Sequence, residues 1–403
     1  MIDFEQFLND RINNNKNLEN LASFFTKDEL SQLSDKSISI VGTNGKTSTA
    51  NYIYQILSSF HIKTLLFTSP HMISYEERIQ SNQNEINHSH YVEEIKEFEE
   101  KNSINLGYFE TLFLIACRTF IDEKLDMFIV EAGIGGRLDT TSIIDYKNVI
   151  LTNVGYDHQD ILGETLEDIL YEKIKISNKI QNLVCGDISS EHKELISKEL
   201  KDTSVWFIDQ RYYDMPGWRP FPAIKTLASR MHTSVSTAKN IDLAVFSMNR
   251  ILRGTNYAIA VRSTRAIMPK RIFSHVQGRF EEINNNTTKI LDGAHNISGF
   301  ETLFQNLDYL YKDIDFKCYL GLKEGKDFQK ILDFLSEKEN ISINIIEDNS
   351  FYNQTSSKYL TSYLEERNIN FDLSTIKKFH LSKEHCILIG SLYLIGEYKK
   401  EFK

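Results

Sequence analysis

The sequence is poor in cysteine and has no long hydrophobic run, and each scarcity argues against a class of protein. Its 403 residues contain only 4 cysteines, which lie far apart and show neither metal-site nor redox-pair spacing. Isolated cysteines of this kind are typical of reduced core residues in a cytosolic protein. The N-terminus is acidic, without a signal-peptide pattern, and no apolar run approaches the ~20 residues that span a bilayer. We therefore expect a cytoplasmic protein with no membrane partner.

An excess of positive charge is also missing. Lys and Arg number 46 against 56 Asp and Glu, so the net charge is −10 and no nucleic-acid partner is expected. An anionic ligand must therefore be bound by a local group of cations and N–H donors. Hydrophobic residues make up 41% of the chain, which is enough for real cores, and the length predicts two or three domains.

What the sequence does contain is a strand, a glycine turn and a helix in succession. Residues 37–41 form a β-branched apolar run typical of a buried strand, and apolar residues recur with helical spacing over 50–57. The turn between them ends in Gly45-Lys46-Thr47, the second half of a P-loop, while Ile40 occupies the place of the first glycine. Such a turn binds phosphate through backbone N–H groups, with Lys46 neutralising its charge. The alternative is an ordinary strand–turn–helix with an incidental glycine–lysine pair.

Further strands alternate with helices, a pattern that predicts a parallel α/β sheet. Strands are predicted at 63–68, 127–130 and 149–152, and residues 72–90 are expected to be loop. Ligands of such sheets bind at the carboxyl ends of the strands. Ser69, Glu131 and His158 lie near those ends, so we expect them beside the phosphate loop. Alternatively, Glu131 caps the glycine turn, and His158 is a core or N-cap histidine.

A second strand–helix alternation follows residue 280, with strands predicted at 289–291, 316–321, 343–346 and 386–389. The predicted organisation is a P-loop-containing, mostly parallel sheet domain over 1–279 and a smaller, Rossmann-like α/β domain over 280–403. Asp292 and His295 follow a strand of the second domain and could approach a nucleotide across a cleft, or could form an ordinary turn. Residues 210–275 offer only one motif, Gly254-Thr255-Asn256.

Together these motifs resemble the folylpolyglutamate synthase/dihydrofolate synthase branch of the Mur ligases. The matching segments are Gly42–Lys46, Thr68–His71 with Glu77-Arg78, Tyr108–Glu110, Glu131–Asp139, Asp157-His158 with Leu162–Thr165, Glu172-Lys173, Gly278–Phe280, Asp292–Asn296 and Gly390–Leu392. The resemblance implies a Mur ligase-like fold and an ATP-dependent amide ligase. Such an enzyme phosphorylates a carboxylate of dihydropteroate or a folate, and L-glutamate then displaces the phosphate, so ADP and phosphate are released. A Mur-type ligase for another acid and amine, and a catalytically silent ATP-binding relative, remain alternatives.

The resemblance also implies roles for individual residues and a monomeric enzyme. Nucleotide contacts are implied for Thr43, Asn44, Gly45, Lys46, Thr47, Ser48, Asn256, Arg279 and Asp292, with His295 beside them. Two magnesium ions are implied, the first at Ser69 and Glu131, and the second at Glu131, His158 and a carbamylated Lys173. Contacts to the pterin are implied for Phe109, Glu110, Leu138 and Asp139. The resemblance implies that Lys46, Lys173 and His158 are the catalytic residues. Without the resemblance, Lys173 beside Glu172 would be interpreted as a solvated charge.

The chain departs from the family pattern at a few positions. Thr47 stands where the family usually has a small residue, and Ser48 follows it, so either hydroxyl could meet the metal. Gln277 replaces the proline that usually precedes Gly278-Arg279. Residues 174–176 replace the usual Ala-Gly-Ile, no N-terminal pterin motif is visible before residue 36, and residues 205–270 match poorly.

Overall fold

The computed structural model describes residues 4–11, 17–210, 224–231, 233–255, 273–284 and 287–402. The chain forms two compact units. Unit 1 comprises Met1–Ser69, Tyr75–Leu227 and Lys239–Phe273, and unit 2 comprises Pro70–Ser74, Ala228–Ala238 and Ser274–Lys403. The division into domains at residue 280 stays a prediction.

Unit 1 is built on a sheet of seven strands in the described part of the chain, in the order β3-β2-β4-β1-β5-β6-β7. The strands are β1 (Ser37–Val41), β2 (Thr64–Phe67), β3 (Ile79–Ser81), β4 (Met127–Glu131), β5 (Asn148–Asn153), β6 (Asn182–Asp187) and β7 (Ser204–Phe207). Neighbours pair in parallel except β3, which runs antiparallel to β2. The four strands predicted in this unit, at 37–41, 63–68, 127–130 and 149–152, are confirmed. The expectation of loop throughout 72–90 was wrong, because β3 lies there.

The central strands bring the expected site residues to one edge of this sheet. Every residue of β1 and β4 is buried, as expected for strands covered on both faces. Strand β1 lies between β4 and β5, and Ile40 is in register with Glu131 on one side and Ile150 on the other. Since these strands are parallel, the residues that follow them emerge side by side.

The first eleven described helices are α1 (Phe4–Asn9), α2 (Leu18–Ala22), α3 (Lys27–Lys36), α4 (Lys46–Ser59), α5 (Val92–Asn102), α6 (Tyr108–Asp122), α7 (Gln159–Leu162), α8 (Leu166–Ile174), α9 (Ser190–Glu199), α10 (Ile224–Met231) and α11 (Val235–Ile251). Helix α8 begins with a capping box, in which Thr165 and Asp168 accept each other's backbone N–H. Aromatic side chains also pack in the core beside α6, where the ring centroids of Phe120 and Phe128 lie 5.3 Å apart. None of the helices in the described ranges is long and apolar enough to cross a membrane.

Unit 2 contains the second mostly parallel sheet, whose described strands follow the order β12-β11-β10-β13-β9-β8. They are β8 (Glu281–Asn284), β9 (Thr288–Asp292), β10 (Phe316–Leu320), β11 (Ile341–Ile346), β12 (Phe371–Ser374) and β13 (Cys386–Ile389). Among these described strands, β8 alone is antiparallel, and it pairs with β9. The remaining helices are α12 (Ile297–Leu310), α13 (Phe328–Ser336), α14 (Ser357–Glu366), α15 (Ile376–Leu381) and α16 (Leu392–Phe402). The predicted α/β class with two mostly parallel sheets is therefore confirmed, while β8 and β12 were not predicted.

Candidate active site

The glycine turn after β1 forms a loop that is tied to the end of β5. Thr43 N–H donates to Asn153 O at 3.1 Å, and Asn44 N–H donates to Asn153 Oδ1 at 2.9 Å. Gly45 has φ +81° and precedes α4, whose first turn has no side-chain cap. The first N–H groups of a helix lack intrahelical acceptors, so this end of α4 offers donors to an anion.

Two lysines meet at one backbone carbonyl of this loop. Lys46 Nζ donates to Gly42 O at 3.0 Å and to Thr43 O at 3.2 Å, and Lys173 Nζ donates to the same Gly42 O at 3.1 Å. Lys173 is only 3% exposed. Burial, reinforced by the charge of Lys46, lowers the pKa of Lys173 to about 7. The interpretation of Lys173 as a solvated charge was therefore wrong.

A buried carboxylate lies at the end of β4. Glu131 is 2% exposed, and its two oxygens accept hydrogen bonds from Thr47 Oγ1 at 2.9 Å and from Ser69 N–H at 3.2 Å. Of the two candidate hydroxyls, Thr47 is thus the one that contacts the carboxylate, while Ser48 is buried on α4. The ends of β1, β2 and β4 are brought together here, as the sequence predicted.

His158 lies beyond the end of β5, on the other side of β1 from Glu131. Its backbone has φ +50°, and its Nε2 lies 3.8 Å from Asp157 Oδ1. The charge of Asp157 also reaches Lys173, where it opposes the lowering of the lysine pKa. The segment 157–158 is therefore near the buried lysine.

The glycine loop after β4 packs directly on the end of α8 that carries Lys173. A Cβ on Gly136 would lie 2.5 Å from Glu172 O and 2.8 Å from Lys173 O, so only glycine permits this approach. Arg137 N–H donates to Glu172 O at 2.8 Å, and its guanidinium donates to Glu172 Oε1 at 2.7 and 2.9 Å. This packing accounts for the burial of a lysine that a local helical pattern would leave in solvent.

The residues predicted to surround the pterin lie in different environments. A Cβ on Gly133 would lie 3.1 Å both from Phe109 Cζ and from Asp139 Oδ2, so those two side chains meet at the loop. Asp139 is buried and accepts N–H bonds from Ile134 and Thr141, each at 2.9 Å. Glu110 accepts Gly107 N–H at 2.7 Å and so caps α6, and Leu138 is 60% exposed. Their contact with a substrate stays a prediction.

Of the predicted nucleotide contacts outside the phosphate loop and α4, Arg279, Asp292 and His295 lie around Gly293 in unit 2, and Asn256 lies outside the described residues. Asp292 accepts N–H bonds from Phe280 at 2.7 Å and from Ala294 at 2.8 Å. Burial raises the pKa of Asp292, against the opposing charge of Arg279. A Cβ on Gly293 would lie 2.8 Å from Arg279 Nη1, and His295 Nδ1 lies 2.9 Å from Gly293 O.

Sequence reasoning missed Asn240, which lies against the phosphate loop from α11. A Cβ on Gly45 would lie 2.7 Å from Asn240 Oδ1. The sequence contained a weak signal for Asn240. Asn240 and Asp242 are polar residues interleaved with the apolar residues Ile241 and Leu243, in a region where no motif was recognised.

Comparison with known proteins shows relatives over nearly the whole chain. The family model "Mur ligase middle domain" matches residues 40–211. A dihydrofolate synthase/folylpolyglutamate synthase from Buchnera aphidicola subsp. Schizaphis graminum is 28% identical over 405 residues, which cover 95% of this chain and 92% of the relative. The protein of the same name from Buchnera aphidicola subsp. Acyrthosiphon pisum is 31% identical over 340 residues, which cover 80% of this chain and 78% of the relative.

Two solved structures share the fold. Escherichia coli FolC in complex with DHPP and ADP has a TM-score of 0.79 at 21% identity, covering 99% of this chain and 96% of that chain. A bifunctional folylpolyglutamate synthase/dihydrofolate synthase with Mn, AMPPNP and L-glutamate bound has a TM-score of 0.75 at 22% identity, covering 99% of this chain and 97% of that chain. These likenesses show that the chain shares the fold of both proteins.

Proposed function

This chain belongs to the dihydrofolate synthase/folylpolyglutamate synthase family, and from that premise we propose that it is an ATP-dependent ligase. It joins L-glutamate to dihydropteroate, to a folate, or to both, and releases ADP and phosphate. The observation that carries the proposal is the meeting of Lys46, Glu131 and Lys173 around one phosphate loop. These groups suit phosphoryl transfer, in which positioning and charge neutralisation supply most of the catalysis.

The loop residues bind the outer phosphates of ATP. Thr43, Asn44 and Gly45 present the backbone at the start of α4, and Lys46 exchanges its loop carbonyls for phosphate oxygens. The Asn240 side chain packs against this loop at Gly45. The transferred phosphoryl group is thereby aligned with the acceptor carboxylate, and its negative charge is offset by a cation.

The oxygen atoms around Glu131 fit a divalent cation. A carboxylate, the Thr47 hydroxyl and the neighbouring Ser69 supply the hard oxygen ligands that Mg²⁺ prefers. No group of three or more His, Cys, Asp or Glu that could hold a metal occurs among the residues that the structure describes. Phosphate oxygens and water would complete this site, and Glu131, His158 and a modified Lys173 would hold a second ion. When bound, the cation neutralises charge that develops on the transferred phosphoryl group.

Lys173 acts as a carbamate. Its pKa of about 7 leaves much of the amine neutral near pH 7, and a neutral amine can add carbon dioxide with the N–C bond formed and one amine proton released to solvent. The product is an anionic oxygen ligand, so modification converts a cation that would repel a metal into a group that binds one. The Gly136 loop packs closely on the backbone of Glu172 and Lys173, which carries this side chain.

The reaction proceeds in two displacements. A carboxylate oxygen of the pteroate or folate attacks the γ-phosphorus, and the bond to ADP breaks to leave an acyl phosphate. The amino group of glutamate then attacks the acyl carbon, phosphate leaves, and the ammonium gives up a proton as the amide forms. Because an acyl phosphate is readily hydrolysed, the site must exclude water during the second step.

Several finer features belong to the same proposal. Two Mg²⁺ ions are bound, the nucleotide is also contacted by Asn256, Arg279 and Asp292 with His295 beside them, and the enzyme is a cytoplasmic monomer. The pterin is bound by Phe109, Glu110, Leu138 and Asp139.

A substrate-resolved ADP-release assay tests the proposal. Purified protein with ATP, Mg²⁺ and L-glutamate is given either dihydropteroate or tetrahydrofolate, and ADP is measured against a control without acid. ADP release with one or both acids is expected. Release only with an unrelated acid and amine would instead favour a different Mur-type ligase, and ATP binding without turnover on any acceptor would favour a catalytically silent relative.

A further inference from the structure

A buried ion pair in unit 2 lies directly behind the turn that carries Arg279. Lys399, on α16, is 7% exposed, and its Nζ lies 2.7 Å from Glu281 Oε2. Lys399 Nζ also donates to Gln277 Oε1 at 2.9 Å, and Glu281 Oε2 accepts Gly278 N–H at 2.9 Å. Lys399 thus bonds both to Gln277, the residue before Gly278, and to Glu281, whose carboxylate accepts the Gly278 N–H.

The geometry of this turn sets the place of Arg279. Arg279 N–H donates to Val276 O at 3.3 Å, and Gly278 has φ +65°, as a type II turn requires of its third residue. Gly278 O accepts Gly293 N–H at 2.9 Å, and a Cβ on Gly293 would lie 2.8 Å from Arg279 Nη1. The guanidinium of Arg279 therefore lies next to Gly293, because the turn that carries Arg279 is hydrogen-bonded to Gly293.

The same turn also orients Asp292. Phe280, the residue after Arg279, donates its N–H to Asp292 Oδ2 at 2.7 Å. A shift of the turn would therefore disturb Arg279 and Asp292 together, and both are residues to which we assign nucleotide contact. A side chain that holds this turn by hydrogen bonds therefore affects nucleotide binding without itself contacting the nucleotide.

We propose that Lys399 is a positioning residue for nucleotide binding, acting through Glu281 and Gln277 on the Gly278 turn. Removal of its ammonium takes away the cation that lies 2.7 Å from Glu281 Oε2 and the donor to Gln277 Oε1, so the Glu281 carboxylate is held less firmly against Gly278 N–H. Proline is common at the second position of a type II turn, the place of Gln277. Lys399 therefore supplies by hydrogen bonding the rigidity that a proline ring would supply there.

The inference rests on the proposed function, and Lys399→Met tests it, with Lys399→Arg as the conservative variant. Lys400→Met is the matched control, because Lys400 is adjacent on α16 and pairs with Glu397 at the surface. We expect Lys399→Met to raise KM for ATP about tenfold and to leave kcat within about twofold of the wild type. A tenfold rise is about the lower end of the effect of losing a hydrogen bond to a charged group. Hydrogen exchange at the Gly278 and Arg279 amides should accelerate in the same variant. Lys399→Arg and Lys400→Met should behave like the wild type.

Rescue distinguishes positioning from a general loss of stability. Gln277→Pro in the Lys399→Met background should restore KM for ATP and slow the amide exchange, since the ring fixes the second turn position. If Lys399→Met does not fold, Gln277→Ala replaces it, and about a threefold rise in KM is expected from the loss of one weaker bond. An unchanged KM in the folded variant, or a raised KM that Gln277→Pro does not lower, would overturn the inference alone. A wild-type protein that releases no ADP with any acid would instead overturn the proposed function.

Discussion

The assignment of a carbamate to Lys173 makes a sharp prediction, because it depends on a measurable pKa. The pKa of about 7 means that about three quarters of the amine is neutral at pH 7.5, against about 0.1% for an ordinary lysine with a pKa near 10.4. Burial is the principal cause, and the nearby Lys46 charge adds to it. Carbamylation requires the neutral amine, so Lys173 should react about a thousand times more readily at this pH than a lysine in solvent, judged by neutral fraction alone.

The assay follows recovery of activity after carbon dioxide is removed and restored. Protein depleted of carbon dioxide should lose ADP release and regain it on addition of bicarbonate, and ¹³C-bicarbonate should give a carbamate carbon signal. At constant dissolved carbon dioxide, the rate of recovery should rise with pH up to about 7 and then level off. The rise reflects loss of the amine proton, and the plateau begins once most of the amine is neutral.

Two variants complete this test: Lys173→Ala removes the proposed carbamate, and Lys175→Ala is the control. Lys173→Ala should bind ATP nearly as well as the wild type but lose turnover, with partial rescue by a small carboxylate such as acetate. Lys175→Ala changes a lysine of the same segment that pairs with Glu199, so it should retain activity and the carbamate signal. A recovery rate that keeps rising tenfold per pH unit up to pH 10 would refute the lowered pKa. Full activity of Lys173→Ala without rescue would refute the assigned role.

Three further substitutions test the geometry of the site. Gly45→Ala should weaken ATP binding at least about tenfold, because a left-handed alanine is strained and its Cβ would lie 2.7 Å from Asn240 Oδ1. Gly254 has a similar φ, +86°, but no atom of the described residues lies within 4 Å of a Cβ added there, so equal effects of Gly254→Ala and Gly45→Ala in a calorimetric titration with ATP would contradict the argument. Thr47→Val should raise the Mn²⁺ concentration needed for half-saturation in a spin-resonance titration, because Glu131 loses a hydroxyl partner, whereas Ser48→Ala should not. Asp139→Asn should lower the free energy of unfolding by about 1–3 kcal/mol in urea, because its amide would face the Ile134 or Thr141 N–H. Unchanged stability would contradict this structural role of Asp139, whereas a raised KM for dihydropteroate would support its proposed contact with the pterin.

Much of the fold was predictable because the central strands are short β-branched runs buried on both faces. Such runs stand out from the helices between them, and β1, β4 and β5 were all predicted. The strands that escaped prediction lie at or near the edges of the sheets. Strand β3 has three residues, and the middle residues of β12 are exposed, so neither has a continuous apolar run.

The same physical rule explains which parts of the site were predictable. Ser69 and Glu131 were placed correctly because residues that follow parallel strands meet at one edge of the sheet. The burial of Lys173 could not be predicted from its helix, because it results from Gly136, distant in sequence, packing on the helix backbone. Asn240 approaches the loop from a helix without a recognisable motif, and only the folded chain brings it to Gly45.

The central claim is that the phosphate loop, Glu131 and Lys173 together transfer a phosphoryl group from ATP to a carboxylate. The most direct measurement uses an acid substrate whose carboxylate oxygens are labelled with ¹⁸O. The released phosphate is then analysed by mass spectrometry after turnover with ATP and L-glutamate. The account predicts one ¹⁸O atom in each phosphate, because that oxygen bridges carbon and phosphorus in the acyl phosphate. Phosphate that carries no ¹⁸O while the amide forms at the normal rate would contradict it.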